Sequence, residues 1–388
     1  MKSKILFLLL TMFLLNGLNN SRELNELAIV SAIGIDLDEN NNYIITAQIL
    51  NSKKENGSGT GSGNTKGSSE IVVLNSESDN VQTALRKIIT QSPQKLYLAH
   101  MEMLLLSEKV AKEKEILDTL NFFIRDNEGS NNFMLVITKD CTPQEMLKIN
   151  TPLESNPATN IKDSILVNHK YRGIATDNIL SDNISMFKKE SQTSVVTCIT
   201  LSKNEGDNVN NKENIQISNL AFFKYKTLSG YLEENENYFY NIVVNHADGG
   251  ILTIDKGDNL IVIEQISSKT KLVPRIENNN YYIDIYVDMI GNITETGKNI
   301  KFDSNKNIKD YEIKAQNYIK KNIENLIEKS KTTYDCDLFS FGNVFYKYKN
   351  KDYNNLKLKY GNDYYKHITT TITVTITLPA EGGIDNIW

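Results

Sequence analysis

The segment from Ile368 to Leu378 carries apolar residues at 368, 372, 374, 376 and 378, and threonine at 369, 371, 373, 375 and 377. A period of two is that of a strand with one buried and one exposed face, and a slip of one residue would turn every isoleucine outward. Such a strand needs a neighbouring strand and a covering layer. The cover is legible upstream: Ile308, Tyr311, Ala315, Tyr318, Ile319, Ile323, Leu326 and Ile327 recur at spacings of three and four, one apolar stripe on a long helix. Residues 215–224, 251–254, 260–268, 269–276 and 281–290 read as further strands, the last three as a meander. The carboxyl-terminal half is thus α+β, an antiparallel sheet packed against a long helix.

The amino-terminal half alternates strands and helices. Residues 27–37 and 43–50 form an antiparallel hairpin about the polar turn 38–42, and a third strand at 71–74 leads to a helix capped by Asp79, with Val81, Ala84, Leu85, Ile88 and Ile89 on one side. A strand at 101–106, a helix over 107–125 and a strand at 133–138 follow, which makes this half mixed α/β. Helical spacing returns at 142–147 and 160–189, with Pro152 and Pro157 between. Residues 56–69 are almost wholly Gly, Ser, Asn and Thr, a flexible loop between strands that lacks the Gly-Lys-Ser/Thr ending of a phosphate loop. The polar stretch 202–214 reads as the domain linker, between domains at 22–201 and 215–378, with 379–388 a tail.

At the amino terminus Lys2 and Lys4 precede a run from Ile5 to Leu15 that is apolar except for Thr11. That run is too short to cross a bilayer and has the charge order of a secretory signal over residues 1–18. The chain is therefore expected to be exported. Net charge is −5 over 388 residues with the signs interspersed, which gives no broad cationic face for nucleic acid. Removing residues 1–18, with their two lysines and no acids, leaves −7.

The chemistry-bearing residues form no catalytic constellation. His100, His169, His246 and His367 fall in four different segments, and Cys141, Cys198 and Cys336 have no zinc spacing, so no metal site or cofactor is expected. Gly57-Ser58-Gly59-Thr60-Gly61 fits Gly-x-Ser-x-Gly only loosely, with glycine at the serine position, and it lacks the strand before it and the helix after it that a nucleophile elbow needs. Asp335 and Asp337 flank Cys336, read as pointing to opposite sides where the helix ends. Tyrosines cluster at 238–240, 281–286, 346–353 and 360–365, suited either to a ligand pocket or interface, or to the face of a sheet.

Several segments together resemble a known family. Ser21-Arg22-Glu23-Leu24-Asn25-Glu26-Leu27, Ser92-Pro93-Gln94-Lys95-Leu96-Tyr97-Leu98-Ala99-His100, Phe122-Phe123-Ile124-Arg125-Asp126 and Thr151-Pro152-Leu153-Glu154 are similar to the Ger(x)C family, the C subunits of bacterial spore germinant receptors. In the second half, Leu220-Ala221-Phe222-Phe223-Lys224, Leu228-Ser229-Gly230-Tyr231-Leu232 and Asp337-Leu338-Phe339-Ser340-Phe341-Gly342 continue the likeness. It implies a three-domain lipoprotein without catalytic activity on the outer face of the spore inner membrane, where it works with membrane-embedded A and B subunits to trigger germination. It also implies a lipidated cysteine within Leu-x-Gly-Cys. Here Leu15-Asn16-Gly17 is followed by Leu18, which has no thiol to acylate, and Asn19-Asn20 replace the family's Trp-Asp. Tyr353 and Tyr360 stand where the family commonly has Trp. Three readings of Leu18 compete: retention by an uncleaved amino-terminal segment, retention through partner subunits, or an altered or decayed gene. The alternative functional reading is an exported solute-binding protein for small nutrients; a secreted hydrolase would need a nucleophile with a plausible base, which the sequence does not offer.

Overall fold

The computed structural model describes residues 26–51, 71–126, 130–151, 154–203, 213–301 and 305–379. The signal-like segment, Leu18, Arg22, Glu23, Leu24, Pro152, the loop 56–69 and most of the tail 379–388 lie outside these residues.

The first sheet holds nine strands: β1 (Leu27–Leu37), β2 (Tyr43–Leu50), β3 (Ile71–Ser78), β4 (Lys95–Tyr97), β5 (Met103–Ser107), β6 (Met134–Thr138), β7 (Ser194–Lys203), β8 (Glu213–Lys224) and β9 (Thr227–Tyr231). Their order is β3-β2-β1-β5-β6-β7-β8-β9, with β4 beside the start of β1. The centre, β1-β5-β6-β7, is parallel, and antiparallel strands flank it on both sides. Parallel strands are covered on both faces, so β5 and β6 read as unbroken apolar runs, and every one of their residues is buried. Leu104, Leu106, Leu135 and Ile137 face one core with Val81, Leu85 and Ile88; Met103, Leu105 and Val136 face a second with Met146, Leu147, Ile161 and Ile165.

Helices α1 (Val81–Ile88) and α2 (Glu108–Glu113) cover the first face, and α3 (Pro143–Lys148) and α4 (Pro157–Arg172) the second. Two expectations are corrected. The cap of α1 is Asn80, whose side chain accepts the Thr83 N–H at 2.8 Å, one residue past Asp79. The single helix expected over 107–125 is three short pieces: Lys114 is extended, and the Ile116 N–H donates to the Lys226 carbonyl in the β8–β9 turn rather than within a helix. The break turns Ile116, Leu120 and Phe123 onto the core that Val110 and Ala111 already occupy.

The linker expected at 202–214 also reads differently. Ser202 pairs with Asn214 and Lys203 with Glu213, so the polar stretch joins two adjacent antiparallel strands of one sheet. The chain stays in that sheet through Tyr231, because β8 completes its cores: Ile217 enters one and Ala221 and Phe223 the other, while Leu220 and Phe222 face the core of the second sheet.

Helix α5 (Leu180–Phe187) precedes β7, and α6 (Glu234–Val243) occupies the tyrosine-rich segment after β9. The second sheet has β10 (Gly250–Ile254), β11 (Ile261–Glu277), β12 (Asn280–Thr296) and β13 (Ile368–Thr377), in that order. The two segments 260–268 and 269–276 are one strand, β11, with register shifts against β12 at Val262/Ile263 and Gln265/Ser267; the turn comes at Asn278 and Asn279, both with positive φ, as a tight hairpin requires. Three strands are antiparallel, but β13 pairs parallel to β12, a correction to the wholly antiparallel sheet. The long helix α7 (Asn305–Thr332) carries the chain back across the sheet, the kind of crossover a parallel neighbour needs.

The alternation at 368–378 is realised residue by residue. Ile368, Ile372, Val374, Ile376 and Leu378 are buried with Tyr311, Ala315, Ile319, Ile323 and Ile327 of α7, and Thr369, Thr371, Thr373, Thr375 and Thr377 are exposed. Helices α8 (Phe341–Tyr348) and α9 (Asn350–Tyr360) close this half, with Phe341, Phe345, Tyr353 and Leu356 in the core. Tyr238, Tyr240, Tyr364 and Tyr365 are core residues too, so most of the tyrosine clusters serve packing; Tyr286, Tyr346 and Tyr348 remain exposed.

Candidate functional site

The residues singled out by sequence gather in two places. The first is a cleft of about 770 Å³ between α1, the start of β2, β4 and the short helical pieces at 116–126. Its walls carry three cations, Arg86, Lys95 and Arg125, and two carboxylates, Asp118 and Asp126, over an apolar floor that includes Leu85, Leu96 and Phe122. Lys95 is placed by β4, which pairs parallel with Leu27–Ile29 of β1; Pro93 precedes it, and Tyr97 lies edge-on to His100 at 5.5 Å. Arg125 ends the last helical piece, where its Nε donates to Asn121 Oδ1 at 2.6 Å. Among the described residues, no serine, threonine, cysteine or histidine lines the cleft. What it offers is opposite charges around an apolar floor, suited to a small zwitterion or a polar peptide segment.

The second place is a buried knot around Asp337. Its carboxylate accepts the N–H groups of Phe341 (2.8 Å) and Gly342 (2.7 Å) and the Tyr364 hydroxyl (2.8 Å). Burial outweighs these donors and pushes the carboxyl up to about 6. The arrangement sets an anion against the first turn of α8, where unpaired backbone donors point. Gly342 is needed because a Cβ there would fall 2.3 Å from the Tyr364 hydroxyl oxygen. Asp335, two residues away, points elsewhere, as read from the sequence: it bonds Lys224 (2.6 Å), Lys366 (2.5 Å) and Tyr365 (2.6 Å), which hold its carboxyl well below the ordinary range. It thereby ties β8 to the segment before β13.

The other sequence-marked residues are elsewhere. Gly230 lies under the Phe222 ring, where a Cβ would come within 2.6 Å of Cζ. The Glu154 carboxylate accepts the Asn156 N–H at 3.1 Å beside the start of α4. Cys198 and Cys336 are buried, each thiol pushed up to about 12 by desolvation. The structure brings together two histidines that the sequence keeps apart: His169 and His246 are 6.5 Å apart, and His169 Nδ1 donates to the Ala175 carbonyl while Nε2 faces Asp248 (3.6 Å) and Asp177 (3.8 Å). Among the described residues no set of three or more His, Cys, Asp or Glu is arranged for a metal ion, and no helix is long and apolar enough to cross a membrane. Sequence reasoning missed Tyr43, Arg86 and Asp118 in the cleft, and Tyr364 in the knot. These come from separate segments, and no spacing rule joins them.

Fold and site define a two-sheet protein built around a charged cleft in one half and a buried carboxylate anchor in the other. Residues 20–201 match the family described as spore germination protein N-terminal domain, and residues 218–382 the family described as spore germination B3/GerAC-like, C-terminal. Relatives in Bacillus subtilis (strain 168) include spore germination protein KC, 25% identical over 92% of this chain and 90% of its own length, and spore germination protein B3, 24% identical over 84% and 81%. The fold is that of the crystal structure of the GerBC protein, with a TM-score of 0.53 at 16% identity, covering 89% of this chain and 96% of the other. The chain belongs to the Ger(x)C family of spore germination proteins.

Proposed function

We propose that this chain is the C subunit of a nutrient germinant receptor, a non-catalytic component acting with membrane-embedded A and B subunits on the outer face of the spore inner membrane. The observation that carries this reading is that both halves match spore germination families in order, across nearly the whole chain. In this reading the cleft around Lys95, Arg125 and Asp126 is the contact surface, and the knot around Asp337, Phe341 and Gly342 is its structural counterpart in the other half. Units at 22–201 and 215–378 serve as the family's domains, with strand β8 bridging them. Leu18 takes no diacylglycerol, and the protein is held through its partner subunits and an uncleaved amino-terminal segment.

Deleting the gene tests the reading: the response to particular nutrients is lost while sporulation continues, and co-purification from spore membranes recovers the A and B subunits. An unchanged response in a strain without paralogues would refute it. Intact-mass measurement of the spore protein tests Leu18, since a mass increased by a diacylglyceryl group would overturn that assignment. A second reading, an exported solute-binding protein, draws on the mixed charges of the cleft. Titration calorimetry of the full chain with amino acids and sugars separates the two, a saturable heat lost in Arg125→Glu favouring solute binding.

A further inference from the structure

The chain is acidic as a whole, yet residues 341–367 carry six lysines against Asp352 and Asp363, a local charge of +4 that leaves −9 on the remainder of a chain with net −5. Two of the six are occupied: Lys357 pairs with Glu190 at 3.4 Å and Lys366 with Asp335 at 2.5 Å. Among the described residues, no carboxylate pairs with Lys347, Lys349, Lys351 or Lys359. Interleaved with them are apolar side chains in water: Tyr348 is 72% exposed and Leu358 86%. Single exposed apolar residues are ordinary. This one has a direction, because burial of Tyr353 and Leu356 fixes the inner side of α9 and so sets Lys351, Asn354, Asn355 and Leu358 on the outer side.

Topology says where that side lies. Strands β1, β5, β6 and β7 are parallel, so their amino ends share one edge of the large sheet. At that edge, just before β7, the Thr193 N–H donates to Ser340 Oγ at the foot of α8, and Glu190 holds Lys357 of α9. The helix pair therefore sits at the end of the sheet where β1 begins, about three strand spacings or 14 Å across from Ser31, four residues into β1 from Leu27. From Leu27 the chain leads back to the apolar run at 5–15.

We propose that the outer side of α8 and α9 rests on an anionic phospholipid surface, with Lys347, Lys349, Lys351 and Lys359 among the headgroups and Tyr348 and Leu358 at the acyl boundary. Basic residues interleaved with Tyr and Leu are the composition of interfacial helices, and each lysine near an anionic surface strengthens binding about fivefold. The proposal deepens the membrane-surface part of the proposed function and supplies a contact that needs no acylated cysteine.

Flotation of the full chain with vesicles tests it, comparing phosphatidylcholine alone with an equimolar mixture of phosphatidylcholine and phosphatidylglycerol. The parent protein partitions onto the anionic vesicles preferentially, and more weakly as salt rises. The triple variant Lys347→Gln, Lys351→Gln, Lys359→Gln loses about a hundredfold of that partition; Leu358→Ser loses severalfold; neither changes association with phosphatidylcholine, which reports the amino-terminal segment. The triple Lys→Arg variant retains binding, which separates charge from misfolding. Equal partition onto both vesicle types, or a Gln variant that binds like the parent, overturns the proposal. A Gln variant that keeps vesicle binding but no longer co-purifies with membrane subunits also overturns it, and assigns the face to an acidic protein partner. Loss of vesicle binding with co-purification intact supports the lipid contact and leaves the receptor reading standing.

Discussion

The two sheets share one chain and are covered differently. The large sheet has apolar layers on both faces, so its strands β5 and β6 bury every side chain; the small sheet is covered on one face by α7 and α8 and shows the other to solvent. On that open face Thr371 and Thr373 of β13 stand beside Asp284 and Tyr286 of β12, and Arg275 of β11 forks onto Asp284 at 2.9 and 3.1 Å. Side-chain identity is therefore constrained by burial at every position of β5 and β6, and at alternate positions over most of β13. The covered face of the small sheet also depends on its helices staying docked.

The largest effect that would break this contrast is a charge in the doubly covered sheet. Leu105→Asp places an unpaired carboxylate in a fully buried position and should leave the protein unfolded, a loss above about 4 kcal/mol, seen as loss of the cooperative urea transition. Next is the anchor of α8. Asp337→Ala strands two backbone N–H groups and a buried hydroxyl and should cost about 3 kcal/mol by the same measurement.

That carboxyl also gives a signature in pH. Its folded value of about 6 lies above the ordinary 3.8, so between pH 4 and 6 the folded chain binds more protons than the unfolded one. Stability should therefore fall as pH rises through that window, by up to about 3 kcal/mol, and Asp337→Asn should remove the slope. Asp335 and Asp284 work in the opposite sense: their carboxyls are held below the ordinary range by Lys224 and Arg275, so their contribution is lost as pH falls below about 4. The two windows do not overlap, which makes the assignment clean in a denaturation series against pH.

Smaller effects sharpen the open side. Arg275→Ala breaks a forked ion pair at the surface and should cost within about 1 kcal/mol. Thr373→Asp on the same face should change stability by less than about 0.5 kcal/mol. A larger loss there, read from the same urea midpoints, would mean that the face is covered.

This contrast also explains what could be read from sequence. The buried face of β13 and the stripe of α7 were legible because each side chain's fate follows from a period of two or of three and four. The hairpin of β1 and β2 was legible for the same reason. Partner-dependent features were not: the break at Lys114 is decided by a carbonyl at Lys226, more than a hundred residues away. Similarly, nothing local to 368–377 says that its neighbour runs parallel. Lys95, Arg125 and Asp126 were singled out by resemblance alone, and their convergence on one cleft depends on β4 joining β1. Asp337 looked like the end of a helix; its three donors come from 341, 342 and 364.

Strand β8 has a mechanical consequence. Its consecutive side chains Leu220, Ala221, Phe222 and Phe223 alternate between the core of the small sheet and a core of the large one, and Lys224 at its end grips Asp335. A hinge needs a segment that can rotate while its two flanks stay packed. Here the segment between the flanks is itself packed into both, so β8 leaves no free swivel between the two sheets.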